Sequence, residues 1–481
     1  MARRTSSVNL LNSLLVMNGC TEFALVYVIS NGLIPALSYF FYSTGEIYFD
    51  VGVPNNWKPP ARSDMVWSGS EDKALRTFHD KYVKIEKSSF HNNQVEISRL
   101  MKNLYQELKT LEKTHQFLRF RPFVKQGGAR EGLKVGAADE FDVVLPFTFL
   151  GTTATIKESP SNNLPAGLGE IEINKVNSRM TVQPKNLFVE RDGKQYVNAR
   201  VFHDQLIKGR IDAAIQKLNQ NPEFASFNIK RQAAAPAIKL DATVNGDRIS
   251  IDMVPGYNIR KDGSTLRKFM VSRWVPSSQN DHRVEPIPNP DTAWRMSHSQ
   301  FEMRILDRWI STNLTAQRLV RGARILKAVR EHDVERNPSS QLHHVLSSYH
   351  IKNALLHGIL HLRWIDDVRL PNVTSACKHL VHIIDTSLEH RNLPQFFANN
   401  PSLEKYFPMY NFHTDYPDVN LFKERSEGET QQIRADLTKS LKHFNLQPIL
   451  DRGGSIHEDK LEPLTRKIRP TNELCTNDEL H

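Results

Sequence analysis

The residues with the most evident capacity for chemistry are Gly127-Gly128 and, after a short interval, Glu140-Phe141-Asp142 on a run that continues Val143-Val144-Leu145-Pro146-Phe147. Paired glycines let a backbone turn approach a triphosphate, because no Cβ intervenes and positive φ is cheap. Carboxylates at i and i+2 on a strand face the same side of a sheet. Such a pair suits a divalent cation with oxygen ligands, and two ions about 3.5–4 Å apart can activate a hydroxyl and steady a leaving pyrophosphate. A third carboxylate would complete the site, and the strand-like Arg248-Ile249-Ser250-Ile251-Asp252-Met253-Val254 offers Asp252. Taken alone, the acids read equally well as solvent-facing strand residues and the glycines as a plain turn.

The wider pattern is more specific. Gly127 to Val135, then Asp139 to Val144, resembles the active-site segment of the cyclic GMP-AMP synthase-like receptors, a branch of the Mab family of nucleotidyltransferases. Those proteins typically carry Gly-Ser where this chain has Gly127-Gly128, which removes one hydroxyl contact to phosphate. The resemblance covers roughly residues 75 to 445. It implies a bilobal α+β nucleotidyltransferase fold, with a mixed β-sheet lobe, a long spine helix and a helical C-terminal lobe. Glu140, Asp142 and Asp252 would then hold Mg²⁺ or Mn²⁺, with ATP and GTP as substrates joined into a cyclic dinucleotide messenger. Trp294 to Glu302 is similar to the family's nucleotide-contacting segment and implies roles for Arg295, Ser297, Ser299 and Glu302. Lys327 matches the phosphate-binding lysine, and Ser348-Tyr349-His350-Ile351-Lys352 the segment whose serine touches phosphate and whose tyrosine stacks on a base. Read without the resemblance, Ser297 and Ser299 are helix-cap candidates, and Tyr349 is a core aromatic beside Leu342 and Leu346.

The zinc-binding insertion of the vertebrate DNA sensor is missing, since no cysteine lies between Glu302 and Lys327. That departure points to double-stranded RNA, read by shape and phosphate charge, or to another ligand as the trigger. Two other readings share the same residues: an inactive, membrane-anchored adaptor of the same fold, and a nucleic-acid-binding member without catalysis.

The elements that must position these residues follow from composition and pattern. A chain of 481 residues with 39% hydrophobic content can build sizeable cores, and its net charge of +10 favours polyanionic partners. Cys20, Cys377 and Cys475 are too few and too scattered for a disulfide framework, which fits a reducing compartment, and a cytoplasmic location is expected. Residues 23–42 are uncharged and long enough to span a bilayer. Ser30, Asn31, Gly32, Pro35 and Ser38 weaken that stretch, so it reads either as an anchor or as a buried N-terminal extension.

The expected division is an N-terminal extension and linker over 1–71, a core lobe with its spine helix over 72–290, a helical nucleotide-binding lobe over 291–450 and a flexible tail over 451–481. Ile97, Met101, Leu104, Leu108 and Leu111 form the apolar stripe of the spine helix, with a break expected near Lys87-Ser88-Ser89. Arg99, Lys102, Lys109 and Lys113 lie on its other faces, as a solvated surface or a phosphate-binding one. Residues 157–186 read as a loop-rich excursion and 201–218 as an amphipathic helix. Asn245-Gly246 between two alternating runs predicts a tight hairpin that brings Asp252 beside Glu140 and Asp142.

Overall fold

The computed structural model describes Trp67 and residues 70–469, apart from 113–116, 151–152, 159–163, 165–166, 175–183, 234–236, 260–267, 273–288, 408–417 and 452–455. The apolar stretch 23–42, most of the proposed linker and the connection before Pro290 lie outside the described residues. Among the described residues, no helix is long and apolar enough to cross a membrane.

The helices of the described residues begin with α1 (Lys73–Phe78), which runs on through a wider π-type turn, and then the 25-residue spine helix α2 (Lys87–Leu111). The break between them falls at Lys84-Ile85-Glu86, slightly earlier than the sequence suggested, and the two serines occupy the first turn of α2. Ile97, Met101, Leu104 and Leu108 are buried as the periodicity requires, joined by Phe90 and Leu100.

A mixed sheet follows, built from β1 (Leu118–Phe120), β2 (Val124–Gln126), β3 (Glu140–Phe149), β4 (Ala154–Glu158), β5 (Leu168–Ile173), β6 (Phe188–Arg191), β7 (Lys194–Val197), β8 (Lys230–Arg231), β9 (Ile238–Val244), β10 (Asp247–Ile259), β11 (Lys268–Ser272) and β12 (Trp294–Ser297). Its main path runs β1-β3-β10-β11-β12-β5-β7-β6; among the described residues only β3 and β10 pair in parallel. Between β2 and β3 stands the short helix α3 (Gly127–Glu131), and α4 (Lys208–Gln220) packs on α2 behind the sheet. Asn245 (φ 53°) and Gly246 (φ 90°) make the expected hairpin turn between β9 and β10, both in the left-handed region that such turns demand.

The described residues beyond β12 are mostly helical: α5 (Ser299–Thr312), α6 (Leu314–Arg336), α7 (Ser348–Ile359), α8 (Val373–Glu389), α9 (Glu427–His443) and α10 (Glu458–Ile468). Their buried side chains form one apolar cluster, and those of the sheet with α2 and α4 form a second.

Two expectations need correction. The excursion over 157–186 contains β5, whose Glu170 and Glu172 are buried because Arg191 and Thr292 satisfy the first and Tyr196 the second. The stretch from Asp451 contains α10, whose Leu461, Leu464 and Ile468 are buried in the helical cluster despite Pro463. Asp72, the first residue of the expected core lobe, is buried and accepts hydrogen bonds from the N-terminal amides of α8, Thr374 at 3.0 Å and Val373 at 3.4 Å.

Phe141 faces away from the acids that flank it and packs against Phe90 with ring centroids 6.1 Å apart. Phe141→Ala should therefore cost about 3–5 kcal/mol in urea unfolding, while the exposed Thr243→Ala on the neighbouring hairpin should change stability by less than about 0.5 kcal/mol.

Candidate active site

The site begins with the parallel pairing of β3 and β10. Their register sets Asp252 opposite Asp142 and Ser250 opposite Glu140. Because side chains alternate along a strand, the three acids share one face while Phe141, Val143, Ile251 and Met253 fill the core behind. One carboxylate oxygen from each of Glu140, Asp142 and Asp252 lies within 4.8 Å of the other two. That spacing and all-oxygen donor set fit a hard divalent cation. A further sign is Asp252 Oδ1, which is buried with no hydrogen-bond partner, an arrangement folded proteins seldom leave without a ligand.

Gly127 is required by this geometry. It adopts φ +70°, and a Cβ there would stand 1.8 Å from Asp142 Oδ2. The space a side chain would occupy is where the Asp142 carboxylate sits. At Gly128 the nearest atoms to a built Cβ are Lys134 N and Lys327 Nζ, both at 3.4 Å, so that position admits a small side chain beside the lysine ammonium. The amides of Leu133 and Lys134 donate back to Gly128 O at 2.9 and 3.0 Å, closing the turn.

Three like charges so close perturb one another. Burial and then repulsion from Glu140 and Asp252 push the Asp142 carboxyl up to about 7. Burial also raises Asp252, against the opposing charge of Lys239. For Glu140 burial acts upward, but the charge and hydrogen bond of Lys134 together outweigh it and hold the carboxyl below its usual range. Lys134 Nζ lies 2.8 Å from Glu140 and 3.0 Å from Asp139. Lys327 Nζ is 3.6 Å from Glu331, turned toward the glycine turn.

The remaining residues singled out in the sequence lie on β12, α5 and α7. Arg295 is exposed on β12, its guanidinium 5.6 Å from the ring centre of Tyr349. Tyr349 is half-buried rather than a core aromatic, and its hydroxyl accepts from Gln395 at 3.1 Å. Ser348 is exposed, since the cap of α7 is Ser347 in a reciprocal pair with His350. Neither Ser297 nor Ser299 caps α5; the capping position is His298, and the two serines bond each other at 3.3 Å. Glu302 and Lys352 are joined at 2.5 Å, and Lys352 also reaches Glu131 on α3 at 3.1 Å.

Sequence reading missed the groups that fix the glycine turn. Arg130 is buried against Asp307 at 3.0 Å, and Glu131 against Lys352, so α3 is tied to α5 and α7 by its own two charges. Arg324, one turn before Lys327 on α6, is buried and donates to Lys134 O and Val83 O at 3.2 and 3.0 Å. The one local signal was the close sequence spacing of Arg130, Glu131 and Lys134 around the glycines.

Residues 129–308 match the family model described as the Mab-21 protein nucleotidyltransferase domain. All three acids fall within the match, as do Arg295, Ser297, Ser299 and Glu302. No curated protein matches the chain. The chain thus carries a Mab-21 nucleotidyltransferase domain over those residues.

Two outcomes follow from this geometry. Because the folded, metal-free site retains a proton on Asp142 up to about pH 7 whereas the unfolded chain loses it near the ordinary aspartate value of 3.8, stability should fall as pH rises through that window. Asp142→Asn should therefore raise the melting temperature of the chelator-treated protein by a few degrees at pH 8 and by less toward pH 4. Mn²⁺ affinity of the unaltered chain should drop about tenfold per pH unit below 7, read by calorimetry. Separately, Gly127→Ala should abolish Mn²⁺ binding by displacing Asp142, whereas Gly128→Ser should fold normally and tighten nucleoside triphosphate binding several-fold in a fluorescence titration.

Proposed function

We propose that this domain joins ATP and/or GTP into a cyclic dinucleotide messenger, in two successive nucleotidyl transfers. The observation that carries the reading is the convergence of Glu140, Asp142 and Asp252 within 4.8 Å beside a glycine turn that a side chain at residue 127 would obstruct. Glu140, Asp142 and Asp252 would hold two Mg²⁺ or Mn²⁺ ions. Bound there, the cations lower the pKa of the attacking hydroxyl and neutralise charge on the phosphates.

The chain's own residues account for the rest. Gly127 and Gly128 admit the triphosphate of the donor close to the backbone, and Lys327 meets its charge. Ser348, which is exposed, would add a further phosphate contact, and Tyr349 with Arg295 would offer a plane and a cation to a base. Ser297 and Ser299, bonded to each other, would offer short hydroxyls to the nucleotide, and Glu302 with Lys352 would bond it while remaining paired. A ribose hydroxyl of the acceptor attacks the α-phosphorus of the donor. A new P–O bond forms, the bond from that phosphorus to the β-phosphate oxygen breaks, and pyrophosphate leaves with the electron pair. Asp252 also helps to take the proton of the attacking hydroxyl.

For the activating ligand we favour double-stranded RNA. Lys102 and Lys109 on α2 and Arg119 on β1 are exposed, as phosphate contacts require. Arg99 is less available, being held by Glu96 at 2.7 Å and Glu223 at 2.8 Å.

The test is incubation of the purified full chain with Mn²⁺ or Mg²⁺, labelled ATP and GTP, and either no nucleic acid or duplex RNA or DNA. The expected result is a phosphatase-resistant product, stimulated by duplex RNA and reduced at least about a hundredfold in Glu140→Gln, Asp142→Asn or Asp252→Asn. Binding of nucleotide with no product under any condition would favour an inactive member of the fold.

A further inference from the structure

The sheet arranges charge in a row. Across neighbouring strands, Gln126 on β2 is opposite Asp142 on β3, Asp142 opposite Asp252 on β10, and Asp252 opposite Lys239 on β9. Directly paired residues project to the same face, so Lys239 stands on the site side of the sheet, beyond Asp252. Its side chain is half-buried, and among the described residues it makes no hydrogen bond or ion pair. It nevertheless exerts the largest charge effect of any single residue on Asp252. The other two cations of the site are engaged: Lys134 with Glu140 and Asp139, Lys327 with Glu331.

The order of strands separates the two ends of this row. The glycine turn follows β2 directly, so the donor triphosphate belongs on that side of Asp142. At about 4.8 Å per strand, the backbone at Lys239 lies about 14 Å from that at Gln126, with both aspartates between. A lysine there is too far away to serve the donor triphosphate. It is beside the acid that takes the proton of the attacking hydroxyl, where the acceptor must enter.

We infer that Lys239 is an acceptor-side anchor that binds a phosphate of the incoming acceptor, which is therefore a phosphorylated nucleotide and not an uncharged hydroxyl compound. This rests on the transfer reading above and adds to it a residue that holds the second substrate. An ammonium on a four-carbon stem reaches a phosphate as a point charge without dictating the base, which suits an acceptor that is first a nucleoside triphosphate and then a linear dinucleotide still bearing its 5′-phosphates. The transfer itself is unchanged: the acceptor oxygen bonds to the donor α-phosphorus, pyrophosphate departs, and the proton passes to Asp252.

The test is calorimetric titration of the full chain with α,β-methylene-ATP and α,β-methylene-GTP in Mn²⁺, which binds without turnover. Two sites are expected in the unaltered protein. Lys239→Gln should weaken one of them by at least about tenfold, the scale of one charge-assisted hydrogen bond, and leave the other as it was. Lys239→Arg should keep both, which separates loss of charge from loss of fold, and competition by guanosine should be equal in all three proteins. A single site in the unaltered chain, or two unaltered sites in Lys239→Gln, would overturn the inference. If the affinity split is found but labelled product never forms, the anchor stands and the transfer reading fails. Product formed by Lys239→Gln with an unchanged acceptor KM sinks the anchor and leaves transfer intact.

Discussion

The burial of three converging carboxylates on one face of the sheet is the constraint on which the site depends. Parallel pairing of β3 with β10 holds Asp252 level with Asp142, and the two-residue period of β3 adds Glu140 to the same face. Burial first, and then repulsion from Glu140 and Asp252, keeps Asp142 protonated up to about pH 7. A fold selected for stability alone would separate them. The surrounding cations respond to the same field: Lys134 is bound to Glu140, and Lys239 and Lys327 act at either side.

The second requirement is that the glycine turn stay in register with the acids. Arg130 and Glu131 meet it by carrying the last turn of α3 into the helical region, where Asp307, Lys352 and Glu302 receive them. Buried ion pairs of this kind contribute little net stability against an apolar replacement, yet losing one partner is costly because the other is left uncompensated. Their consequence here is geometric. The turn that would meet phosphate and the helices that carry Lys352 and Tyr349 cannot shift independently without breaking them. Arg324 extends the same brace to the carbonyls of Lys134 and Val83.

Local pattern made much of this readable. The stripe on α2, the Asn-Gly hairpin and the i, i+2 acids all depend on interactions within a few residues, and each appears in the structure at or close to its expected position. The pairing of Asp252 with Asp142 was anticipated only as adjacency, since no local signal encodes the register of strands more than a hundred residues apart. Buried charge was the systematic blind spot. Glu131, Glu170 and Arg324 look solvated in sequence, because the groups that neutralise or bond them are distant in the chain. Arg99 shows the same effect at the surface, where one of its two carboxylates comes from Glu223. In α10, Pro463 and the polar residues around Leu461, Leu464 and Ile468 concealed an apolar face.

The central claim is that Glu140, Asp142 and Asp252 form one cation site. Electron paramagnetic resonance of Mn²⁺ titrated into the full chain measures it without requiring catalysis, by the loss of free-ion signal. The account predicts saturable binding that Glu140→Gln, Asp142→Asn and Asp252→Asn each weaken by at least about tenfold, consistent with loss of a charged ligand. Mn²⁺ binding that is unchanged by all three substitutions would contradict it.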